Sequence, residues 1–181
     1  MKKILLVVSV LGLLWLGALP QLRSVHAQIR LLEDAAQKGD PVAQNKLGRM
    51  YLFGHGVPKA PQEAAKWFRE SANKGFARSA YDLGLLYQQG QGVPKDEREA
   101  VRWFLKAATQ GYSRAQHQLG NLYREGFGVP KDDVQAYKWY NIAAAQGDDQ
   151  SATARNRLAR SMTRGQIARA QKLSVEFRPI N

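Results

Sequence analysis

The chain of 181 residues is 44% apolar, enough to bury the core of one domain, and its formal charge is +12. It contains no cysteine and three histidines, His26, His55 and His117, which excludes disulfide staples, thiolate metal centres and a cysteine nucleophile. No nucleic-acid-binding motif accompanies the charge, so an acidic protein partner or the anionic cell envelope is its more economical counterpart.

Residues 1–27 differ in kind from the rest. Met1-Lys2-Lys3 is a short positive start, residues 4–19 are an uncharged apolar run, and Pro20 leads into a polar stretch closing on Val25-His26-Ala27. That is the layout of a bacterial secretory signal, with small residues where a cut after Ala27 needs them. The run of 16 residues is a little long for a signal core, and it is short for a membrane span of about 20. A cleaved leader and an uncleaved N-terminal anchor are therefore both open, and membrane contact is expected only through the latter. Either way the remainder is expected to be periplasmic or secreted. Without residues 1–27 the charge falls to +9, and the surplus gathers in residues 150–181, where seven cations face Glu176 alone.

From residue 28 onward the chain reads as helix after helix, and no segment reads as a strand. Residues 28–39 form a lone capping helix, with Leu31 and Gly39 standing 36 residues before Trp67 and Gly75. A 36-residue period then runs three times through residues 40–147. Leu47-Gly48, Leu83-Gly84 and Leu119-Gly120 recur, as do Tyr51, Tyr87 and Tyr123, Gly54, Gly90 and Gly126, Trp67, Trp103 and Trp139, and the Gly-Val-Pro-Lys runs at 56–59, 92–95 and 128–131.

Each unit divides into two helices. In the first, Ala43, Leu47 and Tyr51 form one apolar stripe of a helix over residues 41–53, and Gly48 beside it admits a close neighbour. In the second, Ala64, Trp67, Phe68, Ser71 and Ala72 have the spacing of a broad buried face. Such spacing makes the tryptophans core rather than a ladder for sugar rings. Asp96 and Asp132 stand at N-cap positions, with Glu99 and Gln135 placed to complete capping boxes. The first copy has Ala60 there, followed by Pro61 at the opening helical position. Gly75, Gly111 and Gly147 close the second helices.

Residues 148–181 form basic C-terminal capping helices. Ala154, Leu158 and Met162 continue the stripe shifted by three residues, and Thr163 caps a last helix with apolar positions Ile167, Ala168, Ala170 and Leu173 leading to Phe177. Such caps are expected because an open solenoid end exposes an apolar face.

The motif A-x3-LG-x2-Y-x2-G-x-GV-P-K-D-x3-A-x2-W-x4-A-x2-G, in three consecutive copies over residues 43–147, resembles the Sel-one-like repeat family, relatives of tetratricopeptide repeats. Ala60 for aspartate and Ser71 for alanine are among the departures. The resemblance implies an all-α, right-handed superhelix of three helix-turn-helix repeats with a cap at each end. It also implies adaptor or regulatory work in the periplasm, and some exported members serve as immunity proteins against a phospholipase effector.

No catalytic, cofactor or metal site is read from the residues. The Gly-x-Gly turns lack the further glycine and Lys-Ser/Thr pair of a phosphate loop, and they recur once per repeat as a bend must. No His-x3-His or cysteine pair offers a metal site, and no Gly-x-Ser-x-Gly surrounds a serine. What remains is surface. Positions about 180 to 300 degrees round the first helix from Ala43, at about 100 degrees per residue, give the columns Asn45, Tyr81 and His117; Arg49, Leu85 and Asn121; Leu52, Gln88 and Arg124. The shift of three adds Arg160, and Arg157 lies beside it. By the resemblance these columns line a concave groove for a protein partner, which the basic end makes acidic. The expected function is protein–protein interaction without catalysis; the alternative is a hydrolase or binder of envelope polymers such as peptidoglycan.

Overall fold

The computed structural model describes residues 27–180, so the leader reading concerns residues outside the described ones. Among the described residues there are nine helices and no strand: α1 (27–37), α2 (Pro41–Phe53), α3 (Pro61–Asn73), α4 (Ala77–Gln89), α5 (Glu97–Thr109), α6 (Ser113–Glu125), α7 (Asp133–Ala145), α8 (Asp149–Ala159) and α9 (Arg164–Glu176). α2 pairs with α3, α4 with α5 and α6 with α7, and each second helix also packs on the first helix that follows it. The result is an all-α repeat superhelix. α9 packs on α7 rather than pairing with α8 as a second helix would, while Ala36 of α1 packs with Ala43 and Leu47 of α2 at the other end.

The close approach inside each pair follows from a glycine facing an aromatic ring. Phe68, Phe104 and Tyr140 are fully buried at equivalent positions. A Cβ added at Gly48 or Gly84 would lie 2.7 Å from the ring of Phe68 or Phe104, and one at Gly120 would collide with Tyr140. A side chain there would force the helices apart, so the stripe's small residue sets the spacing.

The turn glycines do more than bend the chain. Gly90 ends α4 in the left-handed region at φ 69°, its N–H bonded to the Leu86 carbonyl. Gly92, at φ 70°, lies so close to the backbone of Pro61 that a Cβ would overlap it, and Gly128 meets Glu97 in the same way. Each second glycine is thus a docking point against the start of the preceding repeat's second helix.

Helix starts match expectation in part. Asp96 accepts from the amides of Arg98 and Glu99, and Asp132 from those of Val134 and Gln135, while Ala60 makes no side-chain cap before Pro61. The capping boxes at Glu99 and Gln135 are not formed. The amides of Asp96 and Asp132 already donate to the carbonyls of Tyr87 and Tyr123 at 3.0 and 2.9 Å, so no acceptor is needed there, and Glu99 pairs with Arg102 at 2.7 Å instead. The complete box is Thr163 with Gln166.

At the C-terminal end Leu158, Met162 and Ala170 are buried as expected, but Ala168 is exposed because α9 has only α7 to lean on. Trp139 is buried, with Phe177 edge-on at 5.4 Å, whereas Trp67 and Trp103 are half-buried. The tail then crosses to α5, where the Ile180 amide donates to the Thr109 carbonyl at 2.7 Å.

Candidate interaction surface

The first column divides from the others, for it is a seam between neighbouring first helices. Asn45 is 3% exposed and its Nδ2 donates to Ser79 Oγ at 2.9 Å and to Asp82 Oδ2 at 3.0 Å. Ser79 Oγ donates to Ser71 Oγ, which donates to the Pro41 carbonyl, both at 2.7 Å. Ser71, the departure from alanine, is therefore a link in a buried polar chain joining α2, α3 and α4. Asn45 is corrected accordingly: it is spent inside the protein and offers nothing to a partner. Burial raises the Asp82 carboxyl above its ordinary value, against the Asn45 hydrogen bond and the nearby Arg49.

One repeat on, the same seam is aromatic. Tyr81 leans on Phe104 and Tyr112 at 5.6 and 5.3 Å, and the place of Ser79 is taken by Ala115. In the third, His117 Nδ1 lies 2.8 Å from Ser151 Oγ, with Tyr140 at 5.6 Å. Burial lowers the imidazole below its ordinary value; Asp148 opposes this and Arg124 adds to it. Ser151 is fully buried and its amide is taken by Asp148 at 3.0 Å. The pair closes a seam and lacks the exposed nucleophile that acyl transfer needs.

The remaining columns split between core and rim. Leu52 packs against the cluster around Phe68, and Leu85 against the cluster around Phe104, so their apolar surface is largely committed to the fold. Arg49 lies 3.9 Å from Asp82 and over the Phe53 ring at 5.6 Å. Gln88 accepts from Gln118 at 3.4 Å. Asn121 accepts from the Tyr140 hydroxyl at 2.7 Å and donates to Gln118 at 3.1 Å. Arg124 pairs with Glu125, and Arg157 and Arg160 are exposed.

Two adjoining depressions lie on this face. One, of about 370 Å3, sits between α6 and α8 and is lined by His117, Asn121, Arg124 and Arg157 with Asp149, Gln150, Thr153 and Ala154. The other, of about 380 Å3, is lined by Tyr81, Arg114, His117, Gln118, Asp148 and Gln150. Of the expected residues, the structure gathers Tyr81, His117, Asn121, Arg124 and Arg157 here, and leaves Asn45, Arg49, Leu52, Leu85, Gln88 and Arg160 outside the lining. Sequence reasoning passed over Arg114 and Gln150. Both continue the column of Val42 and Arg78, one residue before Ala43 and so about 260 degrees round the helix.

A larger hollow of about 880 Å3 lies between the turns, lined by Lys95 to Arg98, Gly126 and Gly128 to Pro130. Its acids are engaged, Asp96 by the amides of α5 and Glu97 by Lys95 at 3.3 Å, and no reactive pair converges there. Among the described residues no group of three or more His, Cys, Asp or Glu could hold a metal ion, and no helix is long and apolar enough to cross a membrane.

The family model described as Sel1 repeat matches residues 41–76, 77–112 and 113–148. Among solved structures, the chain is similar to c5321, a protective antigen of uropathogenic Escherichia coli strains with an SLR fold, at 38% identity and TM-score 0.77, over 82% of this chain and 32% of that one. It is 40% identical to a Sel1 repeat protein from Oxalobacter formigenes, with TM-score 0.67, over 71% of this chain and 97% of the other. Helicobacter pylori cysteine rich protein B, at 23% identity and TM-score 0.56 over 69% of this chain and 95% of its own, shares the fold. The chain thus spans about a third of c5321's length, 32%. No curated protein matches.

Proposed function

The chain belongs to the Sel1 repeat family, and we propose that it is an exported, non-enzymatic protein that holds an acidic protein partner against the groove face of its first helices. Sel1 repeat proteins generally act in protein–protein interaction and are typically non-enzymatic scaffolds. The observation that carries the narrower reading is the pair of depressions around His117, rimmed by Arg114, Arg124 and Arg157. A pre-formed surface of this kind binds without a large ordering cost, and guanidinium groups favour carboxylates. Export rests on the leader-like residues 1–27, and adaptor work or immunity toward a delivered effector are the roles it admits.

The test immobilises the full chain, as the producing cell leaves it, and captures partners from periplasmic extract for mass spectrometry. Charge reversal by Arg114→Glu with Arg157→Glu, both of which line the depressions, is expected to abolish capture while leaving the helical circular dichroism unchanged. Undiminished capture by that folded variant overturns the groove assignment. Turnover of peptidoglycan by the unaltered chain, lost on a point mutation, overturns the non-enzymatic reading. Fractionation with N-terminal sequencing checks export, with a mature start at Gln28 as the expected result of cleavage.

A further inference from the structure

The space between consecutive second helices recurs with the repeat, and at α5 and α7 the chain's own tail shows what it holds. Phe177 lies edge-on to Trp139 at 5.4 Å, Pro179 rests against Gly111, and the Ile180 amide donates to the Thr109 carbonyl at 2.7 Å. The seat is thus an indole, a glycine and the last carbonyl of a helix, a group that lacks an intrahelical partner.

Trp103, Gly75 and Asn73 stand 36 residues before these three. The backbone is alike, with Gly75 and Gly111 left-handed at φ 87° and 83°. The cover is not. A Cβ at Gly75 would meet nothing within 4 Å, while one at Gly111 would touch Pro179. Asn73 and Gly75 are exposed where Thr109 and Gly111 are half-buried, and Trp103 is half-buried where Trp139 is buried. No turn or tail amide donates to the Asn73 carbonyl. One repeat earlier still, Lys74 lies against Gly39 and donates to its carbonyl at 2.6 Å, so of these three glycines Gly75 alone is uncovered.

We propose that this middle groove, between α3 and α5, seats an extended segment of a partner with the tail's own pattern: an aromatic residue, proline two positions on, then an aliphatic residue. The ring packs on Trp103, the proline passes over Gly75, and the following amide donates to the Asn73 carbonyl. Proline restricts the segment before it docks, so little freedom is lost on binding. This surface is separate from the first-helix face, and either can fail without the other.

In the free chain Lys106 spans the groove. Its Nζ lies 5.2 Å over the Trp103 ring and donates to Asn73 Oδ1 at 3.3 Å, where the third repeat has Ile142 beneath its tail. A single long hydrogen bond of this kind contributes little net free energy, so the lysine gives way to an incoming ring.

The test is isothermal titration of the full chain, at up to about 1 mM, with a peptide of residues 174–180 and a control peptide carrying Phe177→Ser and Pro179→Ser. One peptide per chain is expected to bind, and the control not at all. Lys106→Ile, which supplies the third repeat's residue, is expected to tighten binding roughly fivefold. Trp103→Ala is expected to weaken it about tenfold or more. Gly75→Asn keeps a residue that tolerates the left-handed region and puts atoms where the proline passes; it reads the same loss if Trp103→Ala unfolds the chain. Truncation after Glu176 uncovers the third-repeat seat and is expected to raise the stoichiometry to two. Binding by the truncated chain alone, equal binding of the control, or binding unchanged in both Lys106→Ile and Gly75→Asn overturns the proposal. Self-association of the full chain that disappears on truncation gives the groove to a second copy and overturns the assignment to a partner.

Discussion

The seam between α2 and α4 and the seam between α4 and α6 occupy equivalent places in consecutive repeats, yet the first is a polar chain and the second is aromatic. Asn45, Ser79 and Ser71 pass hydrogen bonds inward to the Pro41 carbonyl, while Tyr81 packs on Phe104 and Tyr112 opposite Ala115. The residues change together: where the column residue is Asn45 or His117 its neighbour is Ser79 or Ser151, and where it is Tyr81 the neighbour is Ala115. A repeat therefore fixes geometry, and each seam satisfies that geometry with its own chemistry. Apolar seams gain by burial in proportion to area; polar seams gain little net but lose heavily if one member is removed.

The largest break in the comparison is expected at the aromatic seam. Tyr81→Ala removes the ring that packs on Phe104 and Tyr112 and is expected to destabilise the chain by about 3–4 kcal/mol in urea unfolding. At the polar seam Asn45→Ala strips a donor from Ser79 and Asp82, with an expected loss of about 1–3 kcal/mol in the same measurement. A greater loss at Asn45 than at Tyr81 would reverse the ranking of the seams.

Acidity separates the first seam from the third, with opposite signs. Burial raises Asp82 above its ordinary 3.8, so its contribution favours the fold at low pH and is lost as pH climbs through the raised folded value. The stability of Asp82→Asn relative to the parent chain should therefore grow between acid and neutral pH. Burial lowers His117 below 6.5, so its contribution is complete above that value and is lost as pH falls from there through the lower folded value. His117→Gln should remove that loss. Unfolding free energies of the parent and the two variants across pH check both slopes; matching slopes in all three would show that neither group is coupled to folding. The smallest effect is expected at the rim, where Arg157→Glu should move stability by less than about 0.5 kcal/mol.

Helix limits were legible because they are punctuated: Pro61 opens α3, Asp96 and Asp132 cap α5 and α7, and Gly90 ends α4. The close approach at Gly48 was legible for the same reason, since a lone glycine in a helical stripe has few other uses. The seam column was misread because a single amphipathic helix has one buried side, whereas a first helix in a stack also touches the first helices before and after it. Asn45 lies opposite Ala43 by angle and is still buried, because α4 covers it. The absent boxes at Glu99 and Gln135 are a second case: the tyrosine carbonyls that satisfy those N-caps come from the turn's tertiary shape, which no local spacing records.

The claim at the centre of this account is that recognition lies on the C-terminal half of the first-helix face, while the seams beneath it hold the repeats together. Hydrogen–deuterium exchange of the full chain, with and without the captured partner, tests it most directly. Added protection is expected in α6 and α8 (113–125 and 149–159) and not in α2. Protection confined to α2, or to the second helices α3, α5 and α7, would contradict it.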